Sequence, residues 1–310
     1  MPDLIIVNVG RIKPSHYLFT IEYNDMLQER EKAIMALKDI ITLIDLKEPR
    51  HATKVALELA QKTDAHVTGL GLAFDPVIPG FISAPMPSDF LDVAREQSMD
   101  AAKDAVSSFE EASRRNGTKC EGRIAKIVSG GTADPFLAQI RMSDLVVLGQ
   151  DDGKATEPMR EMLIEAALFD SGVPVLLVPY IGSPAFKTDH VMIAWDGSRT
   201  AISAVHAALP MLQLAQKVSV VIVDKGQKKV GEPGADLATY LSRHGLNVNV
   251  ETIAKPQTTV ADALLNFISD NGVDLVVMGG YGHSRMREFV LGGVTLSMLK
   301  SMTVPVLMAH

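Results

Sequence analysis

One cysteine, Cys120, stands in 310 residues. A lone thiol closes no internal disulfide and fills no cysteine-rich zinc site, which fits a reducing cytosol. Aromatic residues are scarce too, at 5%, too few for the stacking platforms on which single-stranded nucleic acid rests. Cationic charge is also short, since 30 lysines and arginines face 37 aspartates and glutamates for a net of −7. That balance offers nothing to hold a nucleic-acid backbone or an anionic membrane. No apolar run approaches the roughly 20 residues of a spanning helix; stretches such as Asp39–Ile44 and Leu275–Met278 are soon broken. The start, MPDLIIVNVGRIKPSHYLF, lacks the basic lead and small-residue cleavage site of a signal peptide. Catalytic signatures are missing as well. There is no G-x-S-x-G elbow, no H-E-x-x-H and no G-x-x-x-x-G-K-[S/T] loop. The histidines show no metal-ligand spacing, so neither a catalytic residue nor a metal ligand is assigned.

What is present is ordinary globular composition, 47% hydrophobic and 22% charged, in a length that suits about two domains. The chain repeats itself. KDIITLID (38–45) matches DHVMIAWD (189–196), and VTGLGLAFD (67–75) matches VSVVIVDKG (218–226), both at an offset of 151. SDLVVLGQ (143–150) matches VDLVVMGG (273–280) at 130, and VPVLLV (173–178) matches VPVLMA (304–309) at 131. Four matches in one order mean two copies of one unit. The fall from 151 to 130 places 21 extra residues in the first copy, part of them expected in the Pro-rich stretch Pro76–Pro87. Residues 1–35 resemble neither copy, and patterned strand begins only near Met35–Lys38. They are expected to be an extension, disordered or arising from a mis-called start. The copies are expected at 36–179 and 189–310, joined by the Pro/Gly-rich linker 180–188.

Within each copy short Val/Ile/Leu runs alternate with helical patterns, the βαβ signature of a parallel sheet covered on both faces. In the second copy the pattern predicts strands at 189–195, 217–223, 247–253, 274–279 and 303–308. Helices are predicted at 199–215, 232–245, 259–271 and 292–301. The fold class is therefore α/β, two doubly wound five-stranded domains. Ligands of such sheets bind beyond the carboxyl ends of the strands. Two loops stand out there in the second copy, Ala194–Ser198 and the glycine-rich Met278–Thr295. Serial glycines expose backbone N–H groups, and a helix beginning near Gly292 adds its positive end, a combination that suits phosphate. The same glycines equally suit a tight loop, and Asp196 equally suits a helix cap.

On these residues the sequence, from about 36 to His310, resembles a tandem universal stress protein. Nucleotide-binding members carry G-x2-G-x9-G-[S/T] after the fourth strand, and Gly279, Gly282 and Gly292 keep that spacing, with Gly293 in place of the Ser or Thr. The resemblance implies a Rossmann-like pair related by a pseudo-twofold axis. The last strand of each copy would make within one chain the contact that single-domain members make between subunits, with further pairing into a homodimer left open. It also implies ATP, ADP or AMP in the second copy, with or without Mg2+. Ala194, Asp196 and Ile222 would lie at the nucleoside, and Met278, Gly279, Gly282, Gly292, Gly293, Val294 and Thr295 around ribose and phosphates. In the same loop His283, Ser284, Arg285 and Arg287 suit either steadying an anion or a solvated loop face. Trp195 would stack on a base or obstruct it. In the first copy an alignment at offset 127 sets Glu165 and Ala166 opposite the last glycine pair and Arg160 opposite Arg287. Acidic residues there repel phosphate. The expected protein is thus a cytoplasmic stress-response regulator or sensor that holds at most one adenine nucleotide and signals to an unidentified protein partner. The alternatives are a scaffold that binds no nucleotide and a slow ATPase.

Overall fold

The computed structural model describes residues 37–75, 88–127, 132–151, 159–181, 185–224, 226, 232–254, 257–280 and 293–310. The expected extension 1–35 and the Pro76–Pro87 insertion lie outside them. So do the candidate residues Gly282, His283 and Gly292. Leu37–His310 forms one compact unit.

Ten strands make one sheet. The first five elements of sheet are β1 (Asp39–Leu43), β2 (His66–Phe74), β3 (Cys120–Ile127), β4 (Leu145–Gly149) and β5 (Val175–Val178). Between them run α1 (His51–Thr63), α2 (Ser88–Asn116), α3 (Asp134–Ile140) and α4 (Arg160–Asp170). The second series is β6 (His190–Ala194), α5 (Arg199–Leu212), β7 (Lys217–Val223), α6 (Ala235–Arg243) and β8 (Val248–Ile253). It continues with α7 (Val260–Asn271), β9 (Leu275–Gly279), α8 (Gly293–Ser301) and β10 (Val306–Ala309).

The strand order is β3-β2-β1-β4-β5-β10-β9-β6-β7-β8, so each half has the same internal order and the halves meet at β5 and β10. Pairing is parallel inside each half and antiparallel at the junction, where Val306 faces Leu177, Leu307 faces Leu176 and Met308 faces Val175. All six side chains are completely buried. The expected pseudo-twofold pair is therefore made by strands that continue one hydrophobic core across the junction. Burial on both faces explains why these strands read as unbroken apolar runs rather than alternating ones.

Local chemistry sets the element ends. Ser198 caps α5 by accepting a hydrogen bond from the Ala201 N–H. Thr259 and Asp262 form a capping box on α7, which ends at Gly272 with a positive φ of 60°. β10 starts at Val306 rather than 303, after Pro305, which has no N–H to give a ladder. The extra length of the first half lies in a helix: α2 has 29 residues where α6 has nine. Its first turns carry no fully buried residue between 90 and 101; its buried face begins at Ala102 and continues through Ala105, Phe109 and Ser113.

Candidate functional site

In a doubly wound sheet the crevice opens where the strand order reverses. In the second half that point lies between β6 and β9. Register puts Ala194 beside Met278 on β9 and beside Val221 on β7, so Ala194, Ile222, Met278 and Gly279 end at one edge of the sheet. Ile222 and Met278 are almost wholly buried, which leaves backbone as what they present there. Trp195 is half-buried, its N–H donating to the Val221 carbonyl at 2.9 Å.

Asp196 is exposed. Its Oδ1 accepts the Ser198 N–H at 2.9 Å, an Asx turn that leads the chain into α5. Oδ2 takes no hydrogen bond among the described residues. The turn and ligand binding are therefore compatible here, because the turn uses one oxygen and leaves the other without a hydrogen bond among the described residues.

Gly279 has a structural task. A Cβ on it would stand 2.5 Å from Thr200 Oγ1 and 2.6 Å from the Ala201 nitrogen. Only glycine lets the first turn of α5 come this close to the end of β9. Gly293, the first described residue of α8, is the opposite case: it is exposed, and a Cβ on it would meet nothing within 4 Å among the described residues. Val294 is half-buried, and Thr295, which the sequence offered as a phosphate hydroxyl, is buried in the first turn of α8 at 5% exposure.

The first half closes the same crevice. Arg160, 5% exposed, donates from Nη2 to Asp45 Oδ1 at 2.6 Å. The neighbouring Arg50 donates from Nε to the Asp45 carbonyl at 2.9 Å. Gly149 faces the same carboxylate, its Cβ position 3.0 Å from Oδ1. Leu43, Leu46, Phe74, Arg160 and Leu163 leave a cavity of only about 10 Å³, room for no more than one water.

This arrangement corrects the alignment of the two loops. Counted back from VPVLLV and VPVLMA at offset 131, Ala167 falls on Met298, both completely buried, and Ile164 on Thr295, both 5% exposed. The 127 offset would instead set the half-buried Ser171 on Met298. The first-half equivalent of Gly292 is therefore Glu161, not Glu165, and that of Gly293 is Met162. Arg160 corresponds to Leu291 and shares no position with Arg287. Glu165 is half-buried on α4, and burial, with Glu161 nearby, raises its carboxyl above the usual range. The Asp45–Arg160 pair was not foreseen. Its partners lie 115 residues apart, and the only local signal was an aspartate ending a first strand without a free crevice beside it.

Residues 187–310 match the Universal stress protein family. The chain is 27% identical over 171 residues to Universal stress protein Slr1230 of Synechocystis, a stretch covering 53% of this chain and 57% of the relative. It thus spans little more than half the length of that relative. A universal stress protein of Archaeoglobus fulgidus superposes with a TM-score of 0.65 at 16% identity, covering 89% of this chain and 97% of its own. A putative universal stress protein of Pseudomonas aeruginosa gives 0.51 at 15% identity, covering 89% and 94%. At such identities the structures show a shared fold over both halves. The match to the family model lies in the second half. No helix among the described residues is long and apolar enough to cross a membrane.

Proposed function

We propose that the protein is a stress-response regulator that binds one adenine nucleotide, ATP, ADP or AMP, in the crevice between β6 and β9. The observation that carries this reading is the contrast between two equivalent places in one sheet. In the first half Arg160 sits on Asp45, beside a cavity of only about 10 Å³. In the second half Asp196 is exposed and keeps one oxygen without a hydrogen bond among the described residues, and the first described residue of α8 is an exposed glycine whose Cβ position meets nothing within 4 Å among them. A helix N-terminus favours an anion. Asp196 and the backbone of Ala194 and Ile222 would meet the nucleoside. Gly279, Gly282, Gly292, Gly293 and Val294 would surround ribose and phosphates, with His283 beside them. Thr295, being buried, would contribute through its backbone. Nucleotide that binds two arrangements of this surface unequally shifts their populations and so changes what a protein partner meets.

The test is to denature freshly purified protein and identify released nucleotide by chromatography, beside Gly292→Glu, which copies Glu161. One adenine nucleotide per chain, absent from the variant, supports the reading. No nucleotide, and no thermal shift with millimolar ATP, removes it. A scaffold without nucleotide has one observation in its favour: close packing on Thr200 already accounts for Gly279.

A further inference from the structure

The end of β9 and the last turn of α8 both reach residues across the β5–β10 junction, the first through His310 and Leu168 and the second directly. Gly280 is buried and donates its N–H to the Ala309 carbonyl at 2.8 Å. Its own carbonyl meets His310 Nδ1 at 3.1 Å. A carbonyl only accepts, so Nδ1 carries the proton in this contact. The His310 ring in turn stands edge-on to Phe169 of α4, with centroids 5.1 Å apart and planes at 72°. Leu168 of the same helix lies beside Gly280, 3.8 Å from where a Cβ would be. At the other end, Gln150 follows β4 and is 8% exposed. Its Nε2 donates to the Leu299 carbonyl of α8 at 2.7 Å, while its Oε1 accepts the Tyr180 N–H at 3.2 Å. Leu299 is among the last four residues of α8, whose carbonyls have no partner inside the helix.

We propose that the first half of the sheet, having closed its own crevice, braces the ligand end of the second. Gln150 is a positioning residue that caps α8 from the opposite half, and His310 is one that couples the end of β9 to α4. The inference rests on the nucleotide site proposed above and adds its control: the orientation of the α8 start toward phosphate depends on residues that never touch the ligand.

The experiment uses the full chain and two readouts. Hydrogen exchange, without nucleotide, follows peptides covering 275–280 and 293–301. Calorimetry gives the affinities for ATP and for adenosine. Gln150→Met keeps length and removes the amide; His310→Phe keeps the ring and removes the donor; His310→Asn returns a donor near the Nδ1 position. Gln150→Met removes two hydrogen bonds, one of them to α8, and His310→Phe removes one; exchange is expected to speed up about fivefold in α8 for the first and at 275–280 for the second. ATP affinity should fall between about threefold and tenfold, adenosine affinity should stay near wild type, and His310→Asn, which returns the donor to Gly280 but not the ring against Phe169, should recover exchange and affinity only in part. Unchanged exchange in both variants overturns the brace. Faster exchange with unchanged ATP affinity overturns the positioning role, as does equal loss for ATP and adenosine. A wild type that binds no ATP removes the site reading itself, and exchange alone then decides whether β9 and α8 are braced.

Discussion

The exposed glycine at the start of α8 yields the sharpest prediction. Gly293→Ser restores the hydroxyl that nucleotide-binding relatives are expected to carry, in a place where a Cβ meets nothing within 4 Å. No strain therefore offsets the gain. A hydrogen bond to a charged group is worth about 1.5–3 kcal/mol, and the exposure of this residue argues for the lower end. At about 1.4 kcal/mol per decade, the variant should bind ATP roughly tenfold more tightly. Serine also costs less than glycine in a helix, by about 0.3–0.5 kcal/mol, so stability should rise slightly as well. Gly293→Ala separates the two effects, because it gains helix propensity without a hydroxyl. Calorimetric titration with ATP and with adenosine is the assay. The expected result is tighter ATP binding by the serine variant alone, with adenosine unchanged. Equal tightening by alanine, or none by serine, would refute the placement of phosphate at this helix start.

Gly279→Ala should destabilise by about 1–3 kcal/mol, because the added methyl meets a backbone nitrogen that cannot move aside; thermal melting without nucleotide measures it, and an unshifted melt would contradict the close approach of α5. Arg160→Met should cost about 3 kcal/mol by leaving the Asp45 carboxylate, 16% exposed, without its cation. Adding Asp45→Asn should recover part of that loss in chemical denaturation, and nucleotide loading should stay at one per chain throughout. Glu165 titrates above its unfolded value because burial disfavours its charge. It therefore favours the fold below the unfolded carboxylate range, and this contribution is lost as pH rises through the folded pKa. Glu165→Gln should be more stable than wild type at pH 7 and closer to it at pH 4; the reverse order would reject burial as the cause.

Much of the fold was legible because burial on both faces writes strands as apolar runs. KDIITLID and DHVMIAWD mark β1 and β6 with their offset of 151 unchanged in three dimensions. The second-half helices fell within a few residues of their bounds where capping chemistry was local, as at Ser198 and Thr259. What was not legible depends on distance along the chain. Of the 21 extra residues only a part is expected in the proline-rich stretch, and where the rest falls was not legible; the described helix α2 accounts for most of the difference. Arg160 was matched to Arg287 by likeness of letters, whereas the burial of Ala167 and Met298 fixes a register four residues away. A side chain that plugs its own crevice, as Arg160 does on Asp45, leaves no periodic trace. Neither does a cap borrowed from across the sheet, as Leu299 borrows from Gln150.

The antiparallel seam between β5 and β10 also decides how the molecule behaves on dilution. Two separate subunits joined by such strands would come apart as their concentration fell, and each would have to remain an acceptable copy of the other. Here both strands belong to one chain, so the seam forms to the same extent in one molecule as in many. Freed from self-complementarity, residues on its two sides can diverge without breaking it. Leu176 and Leu307 still match across the seam, while a few residues away Gln150 and Gly280 no longer do. A tether of this kind lets the two arms differ while the seam between them stays closed.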